Sequence, residues 1–522
     1  MLSLKITTGW FLPVLSGVLI GTSYIPFPPW ASLFCFVPLW LFWFRQNSLK
    51  SVVLGGWVTS FVLTLIGFNW VAHLLHEFAH FPWVLAFLGM LVFAGVAHLF
   101  IPLAGALWYL GRRYFSWSDR LALGFMGLLT IICEAYSVTL FDWNFGYSWY
   151  GYRVPVFHLA EIIGFTGLSA LTLLFNIPFY LAWQYRHRAC GKTIFGSALT
   201  VFLVLSLSGG YLRDRLPQPD ASLNALLVQA NIGNEEKHAA ELGTGFRDEI
   251  LSIFQRVTDR GLLTNRGDRI DFAVWPEAAF PSILGPGYSH LKLARNLKNY
   301  LSDRQLPLVT GGYGVDKPTG LVTNSLFALN DRGAVMQPHY SKTLLLAFGE
   351  YIPGESYFPV IREWLPPIGH YARGPGPTVL LKINSLKIGP QICYESLFPS
   401  FSRGLADLGA EVIVNVTNDS WYGTWQEPYQ HMYMTLARAV EFRRPVIRAT
   451  NTGISTVALA SGDILERSPL HAEWSGLYQV RYMKNPHVTF YQDWYWLVPS
   501  ILWGALVLML GFSVRSRFRN TS

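Results

Sequence analysis

The sequence predicts an α-helical membrane bundle joined to an α/β sandwich domain. The 522 residues are 51% hydrophobic and only 14% charged, and so sparse a charge in a chain of this length is typical of membrane proteins. Long apolar segments occur in residues 1–212 and again in 487–522, whereas residues 213–486 alternate short β-branched runs with amphipathic stretches. These observations predict seven membrane helices, then an α/β domain, then a last membrane helix with a basic tail.

Eight apolar segments are predicted to cross the membrane as helices. Most of them are long enough to span about 30 Å of hydrocarbon, and the first two are short and interrupted by prolines. Seven precede the α/β domain and one follows it. The segments are 9–25, 30–44, 51–72, 83–111, 121–140, 159–185, 193–212 and 494–514.

Basic residues predict the orientation of these helices. They occur in alternate connections, while the intervening short loops 22–29, 73–82 and 141–158 hold only Arg153. By the positive-inside rule, both termini are cytoplasmic and residues 213–486 lie on the outer side. The net charge of +8 is then mostly an orientation signal, and nucleic-acid binding is not expected. The residues concerned are Lys5, Arg45, Lys50, Arg112, Arg113, Arg120, Arg186, Arg188, Lys192, Arg515, Arg517 and Arg519.

The middle part of the chain is predicted to fold as an α/β sandwich. Polar turns separate its elements, and about 270 residues are enough to bury a core of their own. The predicted strands are Ala225–Ile232, Phe272–Trp275, Leu306–Thr310, Val322–Leu329, Leu386–Ile392, Glu411–Val416, Val446–Ala449 and Ser455–Leu459. The predicted helices are Arg247–Leu263, His290–Ser302, Phe398–Leu408 and Pro428–Phe442.

Cys393 is the strongest candidate for a catalytic residue. It directly follows the apolar strand Leu386–Ile392 and precedes a polar turn, where backbone N–H groups can stabilise a thiolate. Upstream, Glu277 in Trp275-Pro276-Glu277 supplies a carboxylate, and Lys342 in Tyr340-Ser341-Lys342 supplies an ammonium. These three groups are what a thiol enzyme needs to process an amide or an ester. The four cysteines show no paired spacing, so no disulfide framework or zinc ribbon is predicted.

The motifs around these residues carry a resemblance to a known family. Together they resemble the Glu–Lys–Cys signature of the nitrilase, or carbon–nitrogen hydrolase, superfamily, whose domain is an αββα sandwich. Fused to membrane spans, they resemble the bacterial apolipoprotein N-acyltransferase family over essentially the full chain. The supporting segments are 228–232, 342–343, 348–353, 415–423 and 444–453.

The resemblance implies a two-step acyl transfer without a metal or an organic cofactor. A phospholipid donates an acyl chain to Cys393, and the α-amine of a diacylglyceryl-cysteine apolipoprotein then attacks the thioester. Glu277 is the implied base and Lys342 the implied oxyanion stabiliser, together with the backbone N–H that follows the nucleophile. Replacement of Lys342 by alanine is expected to be nearly silent for folding. The implied setting is the bacterial inner membrane, with a periplasmic catalytic domain and a monomeric enzyme.

Further residues match family positions near the site. Glu350 is expected to orient Lys342 or to bind the amine, Glu395 to support the site, and Tyr394 to shape the acyl pocket. A second group of bulky side chains is expected to form an apolar entrance at the membrane surface: Trp421, Tyr422, Trp425 and the run Leu344–Phe348. The chain departs from the family pattern at Gly233–His238, which lacks the usual proline and tryptophan.

Three alternative functions remain open from the sequence. The main one is a membrane-tethered amidase or nitrilase that hydrolyses a C–N bond on the same fold. The second is a membrane metalloprotease, because His76-Glu77-Phe78-Ala79-His80 has the H-E-x-x-H spacing of a zinc site. The third is a transporter with an outer binding domain, because Glu134, Asp142 and Glu161 lie in or near apolar segments.

Overall fold

The computed structural model describes residues 2–77, 80–137, 143–241, 243, 245–346, 349–352, 354–355, 357–364 and 369–521. In chain order its helices are α1 (Leu2–Gly21), α2 (Val37–Phe44), α3 (Leu49–Gly67), α4 (Val71–Glu77), α5 (Trp83–Val96), α6 (Phe100–Phe115), α7 (Asp119–Tyr136), α8 (Tyr147–Gly151), α9 (Ala160–Gln184), α10 (Ala189–Asp214), α11 (Asn234–Glu241), α12 (Arg247–Thr264), α13 (Lys292–Arg304), α14 (Ile361–Trp364), α15 (Pro399–Asp407), α16 (Glu427–Leu436), α17 (Arg438–Glu441), α18 (Phe490–Asp493) and α19 (Leu497–Thr521). Its strands are β1 (Ala221–Gln229), β2 (Phe272–Trp275), β3 (Leu308–Val315), β4 (Val322–Leu329), β5 (Tyr340–Ser341), β6 (Leu381–Ile383), β7 (Leu386–Ile392), β8 (Val412–Thr417), β9 (Val446–Thr450), β10 (Thr456–Ala458) and β11 (Trp474–Tyr482).

The chain divides into two compact units. The helical unit comprises Met1–Leu216, Trp421–Tyr433 and Thr489–Ser522, and the α/β unit comprises Pro217–Ser420 and Met434–Val488. Residues 421–433 therefore belong to the helical unit, although they lie in the middle of the sequence region predicted to be the α/β domain.

The helical unit contains segments that suit a membrane. Within the described residues, five helical segments are long and apolar enough to cross one: Leu49–Gly67, Trp83–Phe115, Pro155–Gln184, Ala189–Asp214 and Leu497–Arg517. The predicted segment 30–44 is helical only over Val37–Phe44, because Pro38 lies in the first turn of this helix and disfavours helix before it. A span at every one of the eight predicted segments stays a prediction.

Helix α9 is broken near its start. Gly164 has φ 67° and ψ 171°, a conformation that is essentially restricted to glycine. A Cβ atom at this position would lie 2.4 Å from a ring carbon of Tyr491, which follows the α/β region in the sequence and packs here within the helical unit. Both the backbone and the packing therefore require glycine at the break.

Two glutamines attach segment 421–433 to the rest of the helical unit. Gln430 Nε2 donates to the carbonyl oxygens of Ile25 and Gly67, each at 2.8 Å, and Gln426 Nε2 donates to Ile66 at 2.6 Å. Ile66 and Gly67 are the last residues of α3, and their carbonyls have no partner in the next turn of that helix. The glutamine amides thus provide donors for this helix end, and Asn69 Nδ2 also donates to the Ile66 carbonyl at 3.2 Å.

The α/β unit is built on two sheets. The six-stranded sheet has the order β11-β1-β2-β3-β4-β5, and the five-stranded sheet has the order β10-β9-β8-β7-β6. Strands β1, β2 and β3 are parallel, and so are β7, β8 and β9. Such parallel strands have both faces covered, which explains their nearly continuous apolar sequences.

The two sheets share an apolar core, and helices cover the six-stranded sheet on its other face. Side chains of β1 to β4 meet those of β7 to β9 in one cluster, which includes Val274, Leu326, Ile392 and Cys393. A second cluster joins the same sheet to α12 and α13 through Phe254, Trp275 and Leu297, among others. The predicted α/β sandwich is confirmed.

Most predicted elements of this unit are present. Phe272–Trp275, Val322–Leu329 and Leu386–Ile392 are strands over the predicted residues. Three strands were not predicted: the two short edge strands β5 and β6, and β11, whose alternating polar residues lie beside β1 at a sheet edge. The predicted helix Pro428–Phe442 is two helices, α16 and α17.

We expect Gly164→Ala to destabilise the helical unit, because alanine fits neither the backbone conformation nor the space beside Tyr491. A residue held in so sparsely populated a region costs about 1–3 kcal/mol. Thermal denaturation of the detergent-solubilised protein should show a lower midpoint. Gly196→Ala is the matched control, because a Cβ there meets no atom within 4 Å. Equal midpoints for the two variants would contradict the prediction.

Candidate active site

The candidate catalytic side chains follow the ends of strands. Glu277 comes two residues after β2, Lys342 directly follows β5, and Cys393 directly follows β7. Apolar strand residues bury these ends, so the polar side chains that follow are held in a largely dry environment. The structure brings all three into one electrostatic cluster in the α/β unit, since the charges of Glu277 and Lys342 both act on the Cys393 thiol.

Lys342 lies between two carboxylates. Its Nζ is 3.0 Å from Glu277 Oε1 and 2.9 Å from Glu350 Oε2, and its side chain is only 2% exposed. The backbone N–H of Leu346 donates to Glu350 Oε2 at 2.8 Å and holds that carboxylate in place. The predicted role of Glu350 in orienting Lys342 is compatible with this geometry.

Asn324 completes the cluster and was not predicted. Its Nδ2 donates to Glu277 Oε1 at 2.8 Å and to Glu350 Oε1 at 2.9 Å, so one amide joins both carboxylates. The residue lies on β4, and its own carbonyl accepts from the Lys342 N–H at 2.8 Å. The available signal was the polar run Thr323-Asn324-Ser325 within an otherwise apolar strand.

The electrostatics keep Lys342 protonated. Burial lowers the pKa of this ammonium, but the charges of Glu277 and Glu350 outweigh burial, so its pKa lies well above the ordinary value for lysine. Lys342 is therefore a cation and a hydrogen-bond donor at neutral pH. It cannot act as the base of the site.

Cys393 has a strained backbone. It begins a short 3₁₀ helix, Cys393–Leu397, and its φ of 55° lies in the left-handed region that favours glycine. Such a conformation persists only where the surroundings hold it, and strained residues cluster at functional sites. The Cys393 carbonyl oxygen accepts hydrogen bonds from Asn415 Nδ2 at 2.9 Å and from Ser396 Oγ at 3.1 Å.

The thiol of Cys393 is protonated at rest. Burial raises its pKa, and the charge of Glu277 raises it further, while the charge of Lys342 and a hydrogen bond with the Thr417 side chain lower it. The net pKa lies well above the ordinary value for cysteine. A nucleophile in this state needs a base to accept its proton as it attacks.

Glu395 joins the segments that carry Lys342 and Cys393. Its Oε1 accepts from the Tyr340 hydroxyl and the Thr343 N–H, each at 2.7 Å, and its Oε2 accepts from the Ile392 N–H at 2.9 Å. Burial raises the pKa of this carboxyl to about 7, although these donors lower it. This geometry is compatible with the supporting role predicted for Glu395, which stays a prediction.

Tyr394 lies beside Lys342, whereas the three residues predicted for an apolar entrance belong to the helical unit. The Tyr394 ring centroid is 5.9 Å from Lys342 Nζ, and its hydroxyl donates to the Leu345 carbonyl at 2.6 Å. Trp425 is half exposed beside Phe27, and Tyr422 is buried edge-on to Trp70. Trp421 belongs to the same segment. Residues 347, 348 and 353 lie outside the described residues.

The H-E-x-x-H motif does not form a metal site in the described residues. Helix α4 ends at Glu77, and His80 has φ 53°, so His76 and His80 do not share a helix face. The His76 ring instead stacks on Trp83, with centroids 4.1 Å apart. Among all the residues that the structure describes, no three His, Cys, Asp or Glu side chains are grouped so that they could hold a metal ion.

The three acidic residues that suggested a transporter, Glu134, Asp142 and Glu161, do not lie in one helix. Glu134 is buried in α7 and accepts from Ser169 Oγ at 2.6 Å, whereas Glu161 lies in the first turn of α9. Asp142 lies outside the described residues.

The chain combines an α/β sandwich that holds a carboxylate, an ammonium and a thiol together with helices that suit a membrane, and the sandwich is of the carbon-nitrogen hydrolase class. Residues 227–476 match the model of the carbon-nitrogen hydrolase family, and residues 16–178 match that of the apolipoprotein N-acyltransferase N-terminal domain. The apolipoprotein N-acyltransferase of Bdellovibrio bacteriovorus is 41% identical over 97% of this chain and 94% of its own length. That of Geobacter metallireducens is 30% identical over 89% and 88%. The chain belongs to the apolipoprotein N-acyltransferase family and is an acyltransferase.

Solved structures also match, each over about half of this chain and with low similarity. A mutant form of the amidase from Nesterenkonia sp. AN1 is 17% identical, with a TM-score of 0.36 over 52% of this chain and 96% of its own. Nit3 of Saccharomyces cerevisiae, of branch 10 of the nitrilase superfamily, is 17% identical, with a TM-score of 0.39 over 54% and 95%. The family assignment does not depend on these low similarities.

The burial of Lys342 changes what its replacement should do. From the sequence we expected little effect on folding, but removing this cation leaves two carboxylates buried without it. We expect Lys342→Met to lose about 3–5 kcal/mol of stability, as is typical when one partner of a buried ion pair is removed. Adding Glu350→Gln should restore part of that loss. The denaturation midpoint in detergent measures both effects, with the exposed Lys382→Met as control; a midpoint unchanged by Lys342→Met would contradict the prediction.

We also expect Glu277→Gln to make the resting Cys393 thiol more reactive. The charge of Glu277 raises the pKa of Cys393, so its removal lowers that pKa and increases the thiolate fraction at a given pH. The rate of alkylation by iodoacetamide should therefore rise, and its pH profile should move to lower pH. The measurement needs a Cys190→Ser background, because Cys190 is exposed. Slower alkylation at every pH would show that Glu277 activates the resting thiol instead.

Proposed function

We propose that the enzyme transfers an acyl chain from a phospholipid to the amino group of a diacylglyceryl-cysteine apolipoprotein through a thioester on Cys393. The observation that carries the proposal is the buried cluster in which Lys342 is paired with Glu277 and Glu350. The charges of Lys342 and Glu277 both act on the Cys393 thiol. The relatives named above are apolipoprotein N-acyltransferases over nearly the same length.

In the first half-reaction, Cys393 attacks the ester carbonyl of the phospholipid while Glu277 accepts the thiol proton. The negative charge of Glu277 thereby moves to the carbonyl oxygen of the substrate, so the net charge of the site and substrate together stays the same. The Lys342 ammonium and the Tyr394 N–H stabilise the oxyanion that forms. The C–O bond then breaks, Glu277 returns the proton to the departing lysophospholipid hydroxyl, and a thioester remains.

In the second half-reaction, the α-amine of the apolipoprotein attacks the thioester. Glu277 takes a proton from the nitrogen as the new C–N bond forms, and the C–S bond breaks. The same proton returns to the sulfur, so the enzyme regains its resting state. No metal ion or organic cofactor enters this scheme. The diacylglyceryl-cysteine amine must reach the thioester before water does.

The same proposal includes the setting of the enzyme. We infer eight membrane spans, cytoplasmic termini and a periplasmic catalytic domain in the bacterial inner membrane, with the protein acting as a monomer. The distribution of basic residues supports this orientation, because Arg45, Lys50, Arg112 and Arg113 lie in connections on one side of the predicted spans. Trp421, Tyr422 and Trp425 would contribute to an apolar surface for acyl chains.

The test is the mass of the intact enzyme after incubation with diacyl phosphatidylethanolamine in detergent micelles. We expect a fatty-acyl increment that hydroxylamine removes, absent in Cys393→Ala and in Glu277→Gln. A synthetic diacylglyceryl-cysteine peptide should then discharge the increment and gain the acyl chain. If the folded wild type gains no increment, the amidase alternative takes the place of this proposal. Discharge by water as fast as by the peptide would likewise indicate a hydrolase.

A further inference from the structure

A ring of hydrogen bonds lies behind the carbonyl oxygen of Cys393. On one arm, Asn415 Nδ2 donates to this oxygen at 2.9 Å, and Asn415 Oδ1 accepts from an Arg448 Nη atom at 2.9 Å. On the other arm, Ser396 Oγ donates to the same oxygen at 3.1 Å, Thr435 Oγ1 lies 2.7 Å from Ser396 Oγ, and the same Arg448 nitrogen is 3.1 Å from Thr435 Oγ1. Ser396, Asn415, Thr435 and Arg448 are fully buried.

Arg448 sets the direction of every hydrogen bond in the ring. A guanidinium only donates, so Asn415 must turn its Oδ1 to Arg448 and its Nδ2 to Cys393. On the other arm, the Thr435 hydroxyl accepts a hydrogen bond from Arg448 and donates one to Ser396 Oγ. Ser396 Oγ in turn donates to the Cys393 carbonyl oxygen. Both arms therefore end as donors at one carbonyl oxygen. Asn415 and Arg448 are direct neighbours on the parallel strands β8 and β9, which fixes their alignment.

Arg448 is itself held by a buried ion pair. Its second Nη atom is 2.6 Å from Asp419 Oδ2, and Thr417 Oγ1 donates to the other oxygen of Asp419 at 2.9 Å. Asp419 is one of the charges that act on the Cys393 thiol, together with Glu277 and Lys342. The pairing with Arg448 offsets the negative charge of Asp419 near the nucleophile.

The ring determines where the next N–H points. In a trans peptide group, the C=O of one residue and the N–H of the next point in opposite directions in one plane. Fixing the Cys393 carbonyl on the buried side therefore aims the Tyr394 N–H to the other side. We propose that Arg448 is a positioning residue, which through Asn415 and Ser396 aims and polarises the Tyr394 N–H as an oxyanion donor. This inference rests on the proposed function of Cys393.

The ring also explains how the strained backbone of Cys393 is maintained. A φ of 55° is unfavourable for cysteine, and two charge-linked donors on its carbonyl compensate for the strain. Hydrogen bonds in a chain polarise one another, so the guanidinium charge strengthens the Tyr394 N–H as a donor. Arg448 touches no reacting atom in this arrangement and acts only through its neighbours.

The test compares two reactions of the same thiol. Acylation by phosphatidylethanolamine in micelles forms an oxyanion, whereas alkylation by iodoacetamide forms none. We expect Arg448→Lys, which keeps the charge beside Asp419 but lacks the planar fork, to slow acylation about 10–100-fold, since loss of one oxyanion donor costs roughly 100–1,000-fold. Alkylation should keep its wild-type rate, and the KM for phospholipid should not change.

Arg444→Lys is the matched control. Arg444 is also a buried arginine beside β9, but it donates hydrogen bonds to the backbone carbonyls of Ala406, Ala410 and Phe442. Arg444→Lys should leave the ratio of the acylation rate to the alkylation rate unchanged. Wild-type acylation in Arg448→Lys, or equal slowing of both reactions, would overturn the inference.

Two further outcomes are informative. If Arg448→Lys does not fold, Thr435→Val tests the inference, because it removes one hydroxyl from the ring. Slower acylation with normal alkylation supports the inference. Normal rates of both reactions overturn it. If the folded wild type is never acylated while iodoacetamide still modifies Cys393, the proposed function fails and this inference fails with it.

Discussion

The buried contact of Lys342 with Glu277 and Glu350 is the constraint on which the site depends. Each charged group taken from water costs several kcal/mol unless partners compensate for it. The partners here come from several segments: the residues after β2, the amide of Asn324 on β4, and the backbone N–H of Leu346. Satisfying these charges thus fixes the relative positions of segments distant in sequence.

The two sheets supply different parts of the machinery around Cys393. The ionic cluster uses residues that follow β2 and β5 together with Asn324 on β4 of the six-stranded sheet. The hydrogen-bond ring uses Asn415 on β8 and Arg448 on β9 of the five-stranded sheet. Cys393 directly follows β7 and is part of the core shared by both sheets. The nucleophile therefore has the Lys342 ion pairs on one side and the hydrogen-bond ring on the other.

The sequence predicted the residues that carry distinctive motifs, but it missed the roles of two buried residues that support them, Asn324 and Arg448. Glu277, Lys342 and Cys393 could be found because each lies in a recognisable motif, and the structure brings them together. Asn324 and Arg448 are single buried polar residues in strands, and only tertiary contacts show which atoms they serve. Strand β11 was not predicted, although its second half alternates apolar and polar residues. The second apolar segment is helical only from Val37 because Pro38 lies in the first turn of that helix.

The assignment of residues 421–433 to the helical unit limits how this protein can be divided. The segment lies between the strands β8 and β9 in the sequence, yet its side chains pack on Phe27, Trp70 and Tyr150. A chain trimmed to residues 217–488 would keep Tyr422, Trp425 and Tyr433 of this segment but lose their aromatic partners, so these rings would be exposed to water. The hydrolase-like half is thus not a portable module, because a stretch of its own sequence completes the other half.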